Sequence, residues 1–184
     1  MQRDLVERAM SGDHDAFSEL ARNSVGRLLV IARLILHDEP AAEDATQEAL
    51  VAAWRHIHGL RDPDRFDAWL HRLLINECHR EARKVRSRSS REIHLPAFDA
   101  PEPDSTRSLM DRDQLDRGFR RLDVDHRAVI VLYYYVGLRP EEAADVLGLP
   151  AGTVRSRLHR AMQQMRAALE ADARTEPIGE GWTA

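Results

Sequence analysis

Apolar residues recur at intervals of three and four along most of the chain, and nowhere do they alternate in the period of two that a half-buried strand needs. Leu5 to Met10 reads as a short helix stopped by Ser11-Gly12. Asp13 or Asp15 opens a longer one, with Phe17, Leu20, Ser24, Leu28, Ile31 and Ile35 on one face, closing near His37-Asp38. Pro40 starts the next helix, whose inner face is Ala42, Ala45, Ala49, Leu50, Ala53, Trp54 and Ile57 and whose outer face is Glu43, Asp44, Gln47 and Glu48. His58 to Asp67 is a loop broken by Gly59 and Pro63, with Asp62 or Asp64 able to cap the helix beyond it. Phe66, Trp69, Leu70, Leu73 and Leu74 then bury one side of that helix, which reaches about Lys84 or beyond. Residues 88–109, with Pro96, Pro101, Pro103 and several serines, lack periodicity and read as a linker. About 23 such residues span roughly 25 Å as a coil and at most about 75 Å extended, enough for two modules to sit apart. Met110 to Leu122 and Val124 to Val136 come next as helices, and the tail from Ala173 frays, with Trp182 free to dock. The pattern predicts an all-α protein of two small helical domains, 1–87 and 110–172, joined by a flexible linker, 88–109, and ending in a flexible tail, 173–184.

The second domain ends in two helices around a tight turn. Pro140 suits a first helical position, Glu141 and Glu142 favour the positive helix start, and Gly148 stops the helix. Leu149-Pro150 turns the chain, Thr153 is placed to cap, and Val154, Leu158, Ala161, Met165 and Leu169 form the apolar stripe of the second helix. Its other face carries Arg155, Arg157, Arg160 and Arg166 in a run from Pro150 to Leu169 without an acidic residue. Thr153, Ser156 and His159 interleave with them. A solvated helix usually mixes both signs of charge, whereas a cationic helix after a glycine turn has the geometry that enters a major groove. Duplex DNA is the expected ligand of this helix-turn-helix. Tyr133, Tyr134 and Tyr135 point in successive directions on a helix, so they are read as core and turn packing rather than a base-stacking platform.

Composition changes the picture mainly through its unevenness. The 184 residues have a net charge of −4, with 32% charged and 5% aromatic side chains. Residues 1–70 hold 8 basic against 13 acidic groups, whereas residues 71–91 hold 7 against 2. Binding follows local potential within about a Debye length, so the basic segments can meet phosphate while the acidic part faces something else. Arg72, Asn76, His79, Arg80, Arg83 and Ser87 share one helical stripe; a solvated helix laced with Glu77 and Glu81 explains that stripe equally well. The only cysteine, Cys78, excludes an internal disulfide, and His71, Cys78 and His79 lack a familiar metal-ligand spacing, so no metal is expected. There is no Gly-rich phosphate loop, nucleophile elbow or His-Glu-x-x-His pair, which argues against an enzyme and against a cofactor. No apolar run approaches the roughly 20 residues that span a bilayer, and the first ten residues are too charged for a secretory signal. The expected location is the cytoplasm.

Four stretches, AEDATQEALVAAW at 42–54, FDAWL at 66–70 with Asn76 and Arg83 beyond it, LDVDHRAVIVLYYYVG at 122–137, and EEAADVLGLPAGTVRSRLHRA at 141–161, resemble the extracytoplasmic-function group of bacterial RNA polymerase sigma factors. They lie in order over about residues 5–170. The resemblance implies that the helix from Pro40 to Ile57 docks on the coiled coil of the largest catalytic subunit of core RNA polymerase, through Asp44, Gln47 and Glu48. It implies that the 58–67 loop and the next helix engage the minus-ten element, with Arg61, Asn76, Arg80 and Arg83 on the melted non-template strand. It implies that Thr153, Arg155, Ser156, Arg157, His159 and Arg160 meet the minus-thirty-five element in the duplex. Tethering would raise the effective concentration of two modules that bind weakly alone. A separate anti-sigma protein is the implied regulator, with no small-molecule substrate and no membrane insertion. Arg139-Pro140 and Ala143 stand where members often have Ser or Thr with an aromatic, and Ile. A helix-turn-helix regulator with an N-terminal sensing or dimerisation module, or a helical adaptor that binds proteins only, is the competing reading; neither explains the acidic helix together with the cationic stripe.

Overall fold

The computed structural model describes residues 1–89 and 115–175. Every regular element among them is helical. In the N-terminal half α1 (Gln2–Met10), α2 (His14–Leu36), α3 (Glu39–His56) and α4 (Phe66–Ser89) run in order; in the C-terminal half come helical residues 115–120, α5 (Val124–Ile130), α6 (Pro140–Leu147) and α7 (Ala151–Thr175). Most of the linker, the first part of the helix expected from Met110 and the part of the tail beyond Thr175, with Trp182, lie outside the described residues; residues 173–175, expected to begin the tail, instead continue α7.

Local chemistry sets the helix ends. The Asp13 carboxylate accepts from the backbone N–H groups of Asp15 and Ala16, and that of Asp38 accepts from Ala41, so each closes a helix start that would otherwise leave donors unpaired. His37 ends α2 in the left-handed region at φ 52°, and Gly148 does the same for α6 at φ 65°. Gly148 bears this at no steric cost, whereas an imidazole there must be held by its surroundings. At the start of α6 the Glu142 carboxylate accepts from the Arg139 backbone N–H at 2.8 Å, a capping interaction that stands in for the Ser or Thr common at that point. Ala143, the other departure from the family pattern, is fully buried.

Two expectations are corrected. The helix expected to run from Val124 to Val136 changes at Val131 into a π turn, Val131–Tyr135, in which the Val136 N–H donates to the Val131 carbonyl at 3.0 Å. Val131 and Leu132 take the inner positions, and Tyr133, Tyr134 and Tyr135 are 37%, 60% and 50% exposed, so none of the three is core. Thr153 does not cap α7, because the helix already begins at Ala151 and the Thr153 N–H donates to the Pro150 carbonyl.

In the N-terminal half α2, α3 and α4 pack on one another and α1 closes over α2. The inner face of α3 is Ala41, Ala42, Ala45, Thr46, Ala49 and Ala53, all buried, and side chains this small let the helix sit close to its neighbours. The two halves, free to separate by the linker reading, here share one apolar core. α4 packs against α5 and α6, and α2 against α5 and the π turn, so the buried cluster runs continuously from Leu5 to Val154. α7 rests on α5 and α6.

Two histidines lie inside this assembly. His71 of α4 is 3% exposed, its Nε2 has no hydrogen-bond partner, and burial with help from Arg27 pushes its pKa down to about 4 against the opposing pull of Asp67. His37 is also pushed down to about 4, by burial first and by Arg127 and Arg120, opposed by Asp116, whose Oδ1 lies 3.6 Å from its Nδ1. Both rings are neutral in the folded protein near pH 7. A group whose pKa falls on folding gives stability that is complete above its unfolded value, here 6.5, and is lost as pH falls toward 4. The urea midpoint is therefore expected to drop between pH 7 and pH 5, by about 2 kcal/mol of stability for each histidine. His71→Asn should remove about half of that dependence; a midpoint flat across this range would contradict the assignment.

Candidate nucleic-acid interface

Because the inner face of α3 is taken up by alanines, its charged residues have only the outer face to occupy. Glu43, Asp44, Gln47 and Glu48 are all exposed there. Among the described residues none of the three carboxylates forms an ion pair within the chain, so this surface is anionic and available to a cationic partner.

Beyond α3 the chain is pinned at Ile57 and Leu60, both buried, and again at Phe66, and between these anchors it makes two short 3₁₀ turns. Asp62 sets the second, its carboxylate accepting from the Asp64 N–H at 3.0 Å while its carbonyl accepts from the Arg65 N–H. The loop and the first turns of α4 enclose a cleft of about 550 Å³, lined by Gly59, Leu60, Arg61, Asp62, Arg65, Ala68, Trp69 and Arg72 with Asp145 from α6. Three guanidinium groups around a half-buried indole supply charge for phosphate and a flat apolar face for a base. Arg61 is the expected member of this cleft. Arg65 and Trp69 were not anticipated as site residues, and Arg72 only as part of the stripe. Their four- and three-residue spacing across the loop-to-helix junction was the available signal, but Trp69 fits the apolar pattern of α4 equally well.

Along α4, Asn76, Arg80 and Arg83 are exposed and in line, as expected. Glu77 and Glu81 do not lace that face. They are 8% and 4% exposed, with Arg80 Nη1 reaching Glu77 Oε2 at 3.1 Å and Lys84 Nζ donating to Glu81 Oε1 at 2.6 Å. With its carboxylates turned inward the outer stripe is cationic. His79 departs from the stripe: it is half-buried, its Nε2 2.9 Å from Asp125 Oδ1 of α5. Cys78, fully buried, has its thiol pushed up to about 12 by burial and by Glu77, which leaves it a packing residue without thiolate character at neutral pH. No grouping of three or more His, Cys, Asp or Glu that could hold a metal occurs among the described residues.

On α7 the six expected readers divide. Arg160 and His159 are exposed, with no partner within the chain among the described residues. Ser156 is exposed, but its hydroxyl donates to the Thr153 carbonyl at 2.9 Å. Arg155 Nη2 donates to Glu141 Oε1 of α6 at 2.5 Å, and this hydrogen bond holds the Glu141 carboxyl below the usual carboxylate range. Arg157 is half-buried, its Nη1 3.7 Å from Asp125 Oδ2. Thr153, in the first turn, is half-buried. The outward cations of the helix centre on Arg155 and Arg160, with Arg166 further along.

The chain matches known proteins over most of its length. Residues 20–88 match the family model described as Sigma-70 region 2, and residues 112–165 that described as Sigma-70, region 4. The RNA polymerase sigma-H factor of Pseudomonas aeruginosa is 31% identical over 90% of this chain and 92% of its own length. The RNA polymerase sigma-E factor of Streptomyces avermitilis is 37% identical over 84% of this chain and 85% of its own. The ECF RNA polymerase sigma factor SigM of Mycobacterium tuberculosis is 30% identical over 88% and 81%. Among solved structures, CnrH in complex with the cytosolic domain of CnrY superposes with a TM-score of 0.66 at 32% identity, covering 93% of this chain and 98% of that one. The sigma factor RpoE of Bartonella quintana, solved with the anti-sigma factor NepR, gives 0.67 at 25% identity, covering 85% and 98%. The chain belongs to the extracytoplasmic-function group of sigma-70 family factors, proteins that bind core RNA polymerase and direct it to promoters.

Proposed function

We propose a division of labour between the charged faces of α3, α4 and α7. Residues 1–87 bind core polymerase through Asp44, Gln47 and Glu48 of α3 and engage the melted non-template strand of the minus-ten element through Arg61, Asn76, Arg80 and Arg83. One extruded base enters the cleft beside Trp69. Residues 110–172 read the minus-thirty-five duplex from α7, with Arg160, His159 and Arg155 foremost and Thr153, Ser156 and Arg157 supporting. The observation that carries this reading is the segregation of exposed charge: an anionic α3 and cationic α4 and α7 on one chain, each facing outward. Extruding a base costs a few kcal/mol, which phosphate contacts and a shaped pocket offset without covalent chemistry. The protein on this reading works by binding alone, in the cytoplasm. A separate anti-sigma protein restrains it, in the way that the complexes of CnrH with CnrY and of RpoE with NepR suggest by analogy. A conventional regulator with a sensing module leaves the region 2 match over 20–88 without a role.

Run-off transcription with core polymerase and the purified chain tests the reading, and start-site sequencing after overexpression identifies both promoter elements. Initiation at no defined site would refute it. Asp44→Arg is expected to weaken the complex with core polymerase at least tenfold while leaving binding of a minus-thirty-five duplex unchanged; equal losses in both assays would argue against the α3 assignment. Arg160→Ala should cost about 1–3 kcal/mol of minus-thirty-five affinity with relaxed preference at one base pair if the guanidinium is bidentate to a guanine. A smaller loss, equal on all sequences and accompanied by a shallower salt dependence, would assign Arg160 to phosphate instead.

A further inference from the structure

We propose that α1 is a brace for the loop that forms the minus-ten cleft, and that Arg3 is a positioning residue for base selection, acting through Asp64. The proposal rests on reading the cleft as the seat of the extruded base. α1 lies ahead of the segment 20–88 that matches region 2, and the charged faces assigned above leave it without a role. Leu5, Val6 and Ala9 bury its inner side, and it packs on α2 and on both short turns of the loop.

None of loop residues 61–65 is buried, so apolar packing does not hold this stretch between Leu60 and Phe66. Polar ties from α1 hold the loop at both ends. At the near end the His58 Nδ1–H donates to the Met10 carbonyl at 3.0 Å; a carbonyl can only accept, and at a helix C-terminus it lacks a donor from its own helix. At the far end Arg3 spans two carboxylates, its Nε donating to Glu7 Oε1 at 2.9 Å and its Nη1 to Asp64 Oδ2 at 2.5 Å. Gln2 Nε2 donates to Asp67 Oδ1 at 3.2 Å, and Arg27 Nη2 of α2 reaches the same oxygen at 3.0 Å. These ties sort charge as well as fixing shape. Asp64 and Asp67 are drawn toward α1 and α2 and neither lines the cleft, whereas Arg65, one residue from Asp64, turns into it and meets Asp145 Oδ2 at 2.6 Å. A loop ordered before the strand arrives loses less of its binding energy to ordering, and a pocket of fixed shape separates one base from another better than one that adapts.

Exposed pairs are individually weak, so the test reverses one charge and then restores the pairing. Arg3→Asp sets a carboxylate against Asp64, while an acid in the first turn suits the helix start and leaves α1 itself intact. Arg3→Asp with Asp64→Arg rebuilds the tie in the opposite sense. Two measurements are made on the full chain. Hydrogen exchange without DNA follows the Leu60 and Arg65 amides, which donate to the Ile57 and Asp62 carbonyls across the two turns. Anisotropy compares a labelled single strand carrying the mapped minus-ten element with the same strand made abasic at the extruded position. The ratio of the two affinities is read, because a changed charge beside the cleft shifts both alike. Arg3→Asp is expected to speed exchange at Arg65 and to lower the ratio about fivefold, and the double variant to restore both. Unaltered exchange in Arg3→Asp would overturn the brace. Faster exchange with an unaltered ratio would overturn its role in base selection, and a ratio that stays low in the double variant would overturn the Arg3–Asp64 tie as its cause. A wild-type chain that binds both strands equally would instead refute the cleft as the seat of the base, and the selection role with it, whatever the exchange shows.

Discussion

The close seating of α3 on α2 and α4 is the contact from which the N-terminal half takes its form. Four of its inner positions, Ala42, Ala45, Ala49 and Ala53, are fully buried methyl groups, so the helix surface itself, more than long side chains, meets its neighbours. A helix lying this close leaves no interior room for a charge, and Glu43, Asp44, Gln47 and Glu48 are driven to the outer face. The same packing fixes both anchors of the next loop, Ile57 behind and Phe66 ahead. The cleft with its three arginines exists because the short chain between those anchors has to bow outward.

The C-terminal half is smaller and leans on the first. α5 spans only Val124–Ile130 and α6 only Pro140–Leu147, lengths at which isolated helices are marginal in water. They gain from burying Val129, Val131, Leu132, Ala143 and Val146 in a core that continues into α2 and α4. Capping by Asp123 on His126 and by Glu142 on Arg139 adds to it locally. The seam between the halves is thus apolar at its centre with charged groups at its rim.

Charge placement obeys the same balance. Glu77 and Glu81 point inward and are neutralised by Arg80 and Lys84 on their own helix, which leaves α4 cationic toward solvent. Arg155 and Arg157 lie on a helix whose sequence between Pro150 and Leu169 has no acid, yet each meets a carboxylate from another helix, Glu141 or Asp125. Local composition therefore overstated how many arginines of α7 are unencumbered.

Helix identity, the acidic face of α3, the polar line through Asn76, Arg80 and Arg83, and the helix-turn-helix were legible along the chain, because each depends on neighbours three or four residues away and on a capping or turn residue beside them. The π turn at Val131, the exposure of the three tyrosines, the inward turn of Glu77 and Glu81, the cleft formed by Arg65, Trp69 and Arg72, and the pairing of Asp145 and Asp125 across the two halves were not. A periodic pattern says which positions share a face, but which of two faces a long amphipathic side chain serves is decided by the helix that packs there. Contacts between residues 80 positions apart, such as Arg65 with Asp145, arise only when two separately encoded surfaces meet. Neighbours along the chain set the elements and the sign of their faces; packing between the elements selected which charged groups are free to bind and which are already satisfied by the protein itself.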